Sequence, residues 1–383
     1  YLLCYAKDIA HTTIHLLPRN EEQLKAYRNP DGHPKGSWKA TPLHAKSGTN
    51  VGEYIFGNGV HWKPPMGTYR RYNDETMRRL DDNSEIWFGG DGKGTPQRKS
   101  FLSETKDGVS STTVWSYKDA GHNHEANNEM KSLGLTGVFS NPKPSRLLKH
   151  MSKLITREND VILDFFSGSA TTAHAVMQLN AEDGGSRKFI MVQLSEPCDE
   201  KSEAFKAGYK NICEIGKERI RRAGDKINKE IEESNRQLKL GEEPKKHVDT
   251  GFRVLKVDST NMKDVFYAPS EYTQKTLTDQ ISNIKDDRTD LDLLYGVLLE
   301  WGLSLSLKHE LEDIDGVKIH IVDNDSLIAC FAENISEAVV MAIAKRQPLR
   351  AVFRDSSFAS SSDKINVEEI FKLLAPNTSV KVI

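Results

Sequence analysis

The chain of 383 residues has few cysteines, no long apolar run and almost no net charge. Its four cysteines are widely scattered and form no Cys-x-x-Cys pair, so neither a disulfide framework nor a zinc knuckle is indicated. The mean hydropathy of −0.57 and the lack of a run of about 18 apolar residues argue against a transmembrane helix. The N-terminal apolar stretch is too short for a signal peptide. Because the cysteines indicate no disulfide framework, the cytoplasm is the predicted location.

Two phosphate-binding patterns are also missing. The sequence has neither the Gly-Lys-Ser/Thr of a phosphate loop nor the Gly-x-Gly-x-x-Gly of a dinucleotide fold. The formal net charge of −2 does not by itself indicate a nucleic-acid partner, although an average can conceal a basic face. A chain of this length is expected to form two or three domains.

Residues 161–175 carry the strongest functional signal, a strand followed by a small-residue turn and a helix. Val161–Leu163 are typical of a fully buried parallel strand, and Ser167–Ala170 permit a tight turn that approaches a ligand closely. Thr171 and Thr172 supply hydroxyl and N–H groups at a helix N-terminus, which favours a carboxylate. Because Asp164 supplies the opposite charge, the pattern predicts a ligand with both an ammonium and a carboxylate.

These residues resemble a known family. The segment from Asp164 to Thr172 is similar to motif I of the S-adenosylmethionine-dependent amino-methyltransferases of DNA, and residues 141–151 resemble motif X. Motif X before motif I marks the permuted β class. Residues 84–104, 250–258 and 351–358 extend the resemblance over nearly the whole chain, to the modification (Mod) subunit of type III restriction-modification systems.

The resemblance and the alternation of helices and strands after Asn141 imply an α/β fold. We expect a Rossmann-like S-adenosylmethionine-dependent methyltransferase core, incomplete at the N-terminus, with a loop-rich target-recognition insertion and a small α+β C-terminal domain. The predicted ranges are an end strand of the core at 1–13, the recognition region at 14–138, the core with a helical extension at 139–268, and the C-terminal domain at 269–383. Predicted helices cover 147–155, 171–179, 203–239 (broken near Gly224) and 290–301, with another from Ser336, and predicted strands cover 161–165, 188–194, 252–257, 318–322 and 326–331.

The resemblance also implies the residues of an S-adenosylmethionine site. Glu196, which closes the strand that begins at Lys188, is placed to accept hydrogen bonds from both ribose hydroxyls, or else is a solvated carboxylate at a strand end. Motif X residues wall the pocket and also begin a helix, with Asn141 and Ser145 expected as its caps. The predicted cofactor-binding residues are Lys143, Pro144, Asp164, Phe165, Phe166, Gly168, Ser169, Thr171, Thr172 and Glu196.

Two departures from the family pattern are evident. Ala170 stands where the family usually has a second glycine, so either the backbone is ordinary there, or the alanine is strained and cofactor affinity is reduced. The catalytic motif Asp/Asn-Pro-Pro-Tyr/Phe is absent, since the one Pro-Pro pair, Pro64-Pro65, is followed by Met66. We therefore expect no catalytic residue in this chain, the motif to lie upstream of Tyr1, and the chain to be inactive alone.

Basic and aromatic residues of the recognition region favour DNA contact as a group, although a solvated surface is the alternative for any one of them. The predicted DNA-binding residues are Arg70, Arg71, Lys93, Arg98 and Lys99. The run Arg219–Arg222 either follows a DNA backbone or is a solvated helical face. His122–Glu125 lacks a second cluster with metal-ligand spacing, so no metal is predicted.

The resemblance implies a site-specific adenine-N6 DNA methyltransferase that transfers methyl from S-adenosylmethionine by in-line displacement onto a flipped base. It implies double-stranded DNA, a restriction (Res) subunit and a second copy of the chain as partners. The first alternative is a non-catalytic module that binds DNA and cofactor. The second, an RNA or protein methyltransferase, is disfavoured by the long insertion before motif X.

Overall fold

The computed structural model describes residues 2–239, 241–263 and 283–383. The chain forms two compact units, divided between Gly251 and Phe252. The predicted boundary at residue 268 lies outside the described residues. None of the helices in these ranges combines the length and the apolar character needed to span a membrane.

The first unit has eight helices and nine strands within its described residues. The helices are α1 Glu21–Lys25, α2 Asp74–Asp82, α3 Tyr117–Ala120, α4 Asn123–Ser132, α5 Ser145–Ile155, α6 Thr171–Asp183, α7 Glu203–Lys206 and α8 Ile212–Arg236. The strands are β1 Trp38–Pro42, β2 His44–Ala45, β3 Tyr54–Ile55, β4 His61–Trp62, β5 Tyr69–Arg70, β6 Ile86–Trp87, β7 Gln97–Phe101, β8 Val161–Asp164 and β9 Lys188–Met191.

The predicted recognition region forms small antiparallel sheets around its own core. Strands β1, β7 and β6 make a three-stranded sheet, while β2 pairs with β5 and β3 pairs with β4. Helix α2 begins where the Asn73 side chain accepts the N–H of Thr76, and it buries Met77 and Leu80, three residues apart on one face. The core consists of Leu43, Phe56, Trp62, Met77, Leu80 and Ile86.

Strands β8 and β9 form a parallel pair whose ends lead into the candidate site. Helix α6 packs against α5, α8 and β9, which explains why it is buried over most of its length. The prediction of a fully buried strand is wrong, because Val161 is 56% and Leu163 is 57% exposed. Within the described residues β8 pairs only with β9, so these side chains remain in water.

Three further element predictions are corrected. The helix expected over 203–239 is interrupted between α7 and α8 and runs unbroken through Gly224, where an added Cβ would lie 2.7 Å from the Cβ of Thr250. That glycine therefore permits a close approach and does not break the helix. No strand forms over 252–257, nor over residues 2–13, where the one element is a 3₁₀ helix, Ile9–His11.

The second unit has a mixed five-stranded sheet in the order β10-β11-β12-β13-β14. The first three strands are antiparallel, and β12, β13 and β14 are parallel. Helices and strands predicted at 290–301, 318–322 and 326–331 and from Ser336 are present here. The elements are α9 Asp290–Glu300, β10 His309–Ile314, β11 Val317–Val322, β12 Leu327–Cys330, α10 Glu337–Lys345, β13 Arg350–Phe353, α11 Ser361–Leu374 and β14 Ser379–Val382.

Candidate functional site

The loop between β8 and α6 turns through two left-handed residues. Gly168 has a φ of 51°, and a Cβ added there would lie 3.2 Å from Cζ of Phe139, so the position suits glycine. Ala170 also lies in the left-handed region, with φ 59° and ψ 39°. Of the two alternatives for Ala170, the structure therefore has the strained one, at a cost of about 1 kcal/mol.

The two threonines that begin α6 use their hydroxyls inside the protein. Thr172 donates to the Asp164 carboxylate, and Thr171 donates to the carbonyl of Lys143 at 3.3 Å. Both threonines are buried, so the expectation that their hydroxyls face a ligand is not met. Instead, they fasten the loop to the end of β8 and to the segment before α5.

The N-terminus of α6 has no side-chain cap. Ala170 is the N-cap residue and has no side-chain oxygen to accept the first N–H groups, which carry the positive end of the helix dipole. One loop donor is already used, since Gly168 N–H donates to Gln193 Oε1 at 2.7 Å. Gln193, two residues beyond β9, was missed by the sequence reasoning because a lone glutamine carries no pattern.

Several predicted cofactor residues are exposed around this loop. Phe165 and Phe166 are 62% and 71% exposed, with ring centroids 5.5 Å apart in an edge arrangement. Lys143 and Glu196 are exposed as well. Glu196 does not close a strand, because β9 ends at Met191; its carbonyl accepts the N–H of Ile212 at 3.0 Å, next to the start of α8.

The start of α5 differs from the expected capping. Pro144, which is buried, is the N-cap residue and makes no side-chain capping bond. Ser145 is the first helical residue, and its N–H and hydroxyl donate to the Glu129 carboxylate at 3.1 Å and 2.9 Å. Asn141 has a φ of 56° and lies before the helix. The carboxylate of Glu129, on α4, therefore takes the place of a local cap.

Arg219 meets neither of the two alternatives for its run, a DNA-backbone contact or a solvated helical face. It is fully buried, and its guanidinium donates to the hydroxyls of Ser169 and Thr171 at 2.8 Å and 2.7 Å. Burial lowers the pKa of Arg219 to about 10, although Glu129 acts in the opposite direction, so the group stays charged at neutral pH. A sequence signal existed, because Arg219 falls on the i,i+4 stripe that buries Ile215, Ala223, Ile227 and Ile231.

His174 lies on α6 near this cation and is also buried. Burial, and then the charge of Arg219, lower the pKa of His174 to about 3, so the imidazole is neutral at physiological pH. Its Nδ1 has no hydrogen-bond partner among the residues that the structure describes. Protonating His174 would place a second cation in the same buried space.

Two of the predicted DNA-binding residues are buried in ion pairs of the recognition region. Arg70 pairs with Asp74, and Lys99 pairs with Asp31 and donates to the carbonyl of Ser84 at 2.7 Å. Such groups stabilise local structure and are not presented to a phosphate. The structure thus gives Arg70 and Lys99 structural partners.

The other predicted DNA-binding residues are more accessible. Arg71 and Lys93 are exposed. Arg98 is half-buried and donates to the Tyr72 hydroxyl at 2.9 Å. The DNA-binding assignment stays a prediction and centres on the exposed pair, Arg71 and Lys93.

His122 lies in the segment His122–Glu125, for which no metal is predicted. It caps α4 through its Nδ1, which accepts the N–H of Glu125 at 3.2 Å.

Part of the chain matches a known family. Residues 50–223 match the family described as DNA methylase, a range that contains much of the predicted recognition region and the whole β8–α6 loop. The site described above therefore lies in the matched segment.

The particular relatives are Mod subunits, as the motifs predicted. The chain is 37% identical to the StyLTI Mod subunit of Salmonella typhimurium over 59% of this chain and 34% of that protein. It is 30% identical to the EcoP15I Mod subunit of Escherichia coli over 84% of this chain and 46% of that protein. The EcoPI Mod subunit of Escherichia phage P1 is 30% identical over 70% of this chain and 40% of that protein. The chain is similar to these Mod subunits and spans less than half the length of each of them.

Proposed function

We propose that this protein is an S-adenosylmethionine-dependent DNA methyltransferase, specific for adenine N6, that acts as the modification subunit of a type III restriction-modification system. The observation that carries the proposal is the β8–α6 loop, whose left-handed Gly168 and Ala170 lead into a buried helix inside the segment similar to DNA methylases. In this proposal β8, β9, α5 and α6 belong to a Rossmann-like core, and residues 14–138 recognise the target.

The residues around the loop fit a ligand that carries both charges of an amino acid. The positive end of the α6 dipole suits a carboxylate, and the Asp164 carboxylate suits an ammonium. Phe165 and Phe166 offer exposed apolar rings for an adenine, and Glu196 offers a carboxylate for ribose hydroxyls. S-adenosylmethionine has each of these parts, and when bound it supplies an electrophilic methyl group on sulfur.

The work of the chain's own residues is to bind and orient. Thr172 holds the Asp164 carboxylate in place at the end of β8, and Gln193 holds the loop at Gly168. Such rigid support keeps the reacting atoms aligned for direct displacement, where a small misplacement lowers the rate strongly. In this proposal Arg71 and Lys93, which are exposed, contact DNA phosphates. Double-stranded DNA, a Res subunit and a second copy of the chain are the proposed partners.

A non-catalytic DNA- and cofactor-binding role is the alternative. It is favoured by one observation, that residues 1–383 lack the Asp/Asn-Pro-Pro-Tyr/Phe sequence that holds the target amine in such enzymes. The two functions share the cofactor site and differ in turnover.

The test is calorimetric titration of the chain with S-adenosylmethionine, with and without duplex DNA, together with a methyl-transfer assay. We expect wild type to bind and Asp164→Asn to bind at least about tenfold more weakly, since a charge-assisted hydrogen bond contributes roughly 1.5–3 kcal/mol. Glu158→Gln, which removes an exposed carboxylate near the start of β8, is the control and should not change affinity. Transfer to adenine supports the enzyme, binding without transfer supports the alternative, and no binding by wild type contradicts both.

A further inference from the structure

A buried cation joins the candidate cofactor loop to the helix behind it. Arg219, on α8, donates from one nitrogen, Nη1, to Ser169 Oγ at 2.8 Å and Thr171 Oγ1 at 2.7 Å. The other terminal nitrogen, Nη2, lies 3.3 Å from Glu129 Oε2. Two hydroxyls of the loop therefore share one guanidinium, with a carboxylate on its far side.

The same network reaches the segment before α5. The Thr171 hydroxyl also donates a hydrogen bond to the carbonyl of Lys143, and the Glu129 carboxylate accepts hydrogen bonds from both the N–H and the hydroxyl of Ser145. The guanidinium thus closes a network between the motif X segment and the motif I loop. Since each hydroxyl accepts from Arg219, both hydroxyls are held inside the protein, and no side-chain capping bond covers the N-terminus of α6.

Stability alone does not account for Arg219. A buried ion pair often stabilises a fold no better than apolar side chains of the same volume, because removing two charges from water is costly. Arg219 Nε has no hydrogen-bond partner in the described ranges, which adds to that cost. What the charge does provide is a positive potential behind the N-terminus of α6, in the same direction as the helix dipole.

We propose that Arg219 is a positioning residue of the cofactor site, which sets the loop from Ser169 to Thr171 for the carboxylate end of the cofactor. It acts through the two hydroxyls and through its charge, without touching the ligand. The inference rests on the proposed function, because it assumes that the loop binds an amino-acid carboxylate.

The test compares two ligands that differ at that end. S-adenosylhomocysteine carries the ammonium and the carboxylate, whereas methylthioadenosine has the same nucleoside and lacks both. Arg219→Met removes the charge and the hydrogen bonds. Arg222→Met is the matched control, because Arg222 lies one turn further along α8 and bonds Glu218 and the carbonyls of Leu133 and Gly134, away from the loop.

We expect Arg219→Met to lower the affinity for S-adenosylhomocysteine at least tenfold and the affinity for methylthioadenosine less than twofold. Arg222→Met should leave the ratio of the two affinities as in wild type. Equal losses for both ligands with Arg219→Met would assign Arg219 a merely structural role and overturn the proposal, as would no loss for either. Wild type that binds neither ligand would instead contradict the proposed function, and the inference with it.

If Arg219→Met does not fold, Thr171→Val replaces it. This change keeps the cation and the shape of the side chain but removes one of the two acceptor hydroxyls. The same selective loss for S-adenosylhomocysteine is expected, at a smaller ratio, and an unchanged ratio overturns the proposal.

Discussion

Residues 14–138 and residues 139–251 each bury a cation, but the acceptors differ. Lys99 is paired with the Asp31 carboxylate and lies 5.5 Å from the Trp38 ring centroid. Arg219 is held chiefly by two hydroxyls of the β8–α6 loop. Lys99, which the sequence pattern favoured for DNA contact, is thus held in a structural ion pair. Arg219, for which the sequence left a DNA-backbone contact or a solvated face as alternatives, instead contacts the loop of the candidate site. Burial and acceptor identity decide the role, and residue type does not.

The largest expected effect comes from breaking the ion pair between Lys99 and Asp31. Lys99→Met leaves the Asp31 carboxylate, whose side chain is 24% exposed, without its cation, so the free energy of unfolding should fall by about 1.5–3 kcal/mol. Lys93→Met, which removes an exposed lysine of the same region, is the control and should change it by less than about 0.5 kcal/mol. Urea unfolding followed by tryptophan fluorescence measures both. Similar stabilities for the two variants would show that the Lys99 pair is dispensable.

The elements around the loop could be predicted because their signals are local. The positions of β8 and α6 follow from an apolar run, a small-residue turn and helix-starting threonines, and the structure has them within a few residues. The α9 helix was equally predictable from the sequence, since Thr289 and Asp292 form a capping box before an apolar stretch.

The roles of single polar side chains could not be predicted in the same way. Glu129 caps α5 from 16 residues away, and Arg219 meets Ser169 across 50 residues, so no local pattern reports either contact. Exposure of Val161 was also unpredictable, because an apolar strand indicates burial whether or not neighbouring elements are present to cover it.

A second prediction concerns the pH dependence of the free energy of unfolding, to which His174 and the Asp31–Lys99 pair contribute in different pH ranges. Because His174 has a pKa of about 3 when folded and about 6.5 when unfolded, the unfolded state binds more protons between these values. The free energy of unfolding should therefore fall by up to about 1.4 kcal/mol for each pH unit below 6.5. Between pH 6.5 and 4.5, His174→Leu should reduce the wild-type slope by up to about 1.4 kcal/mol per pH unit, measured by urea unfolding. His150, His309 and His320, whose pKa values are also lowered, account for the slope that remains. A slope equal to that of wild type would mean that His174 is not the group responsible.

The ion pair between Asp31 and Lys99 should lose its contribution to stability in a lower pH range than His174. Burial raises the pKa of Asp31, but hydrogen bonds from Lys99 and Trp38 outweigh burial and hold that pKa below 3.8. A carboxyl with a lowered pKa contributes stability that is complete above its unfolded value and is lost as pH falls through the folded one. Acid should therefore affect the His174 region first, starting near pH 6.5, and the Asp31 pair only below pH 3.8.

The smallest expected effect concerns the exposed cations. Changing Arg71 and Lys93 together to Gln should reduce the salt slope of duplex DNA binding by about 1.8, since each phosphate contact contributes about 0.9. Because that slope sets how steeply salt weakens DNA binding, the ratio of the wild-type affinity to the variant affinity should fall by about threefold between 0.1 M and 0.2 M salt. Lys245→Gln with Lys246→Gln removes the same charge from an exposed segment after α8 and is the matched control. Fluorescence anisotropy across a salt series measures all three proteins. If the control lowers the slope as much as the Arg71 and Lys93 variant does, DNA binding depends only on the net charge of the protein. Arg71 and Lys93 would then not be specific DNA contacts.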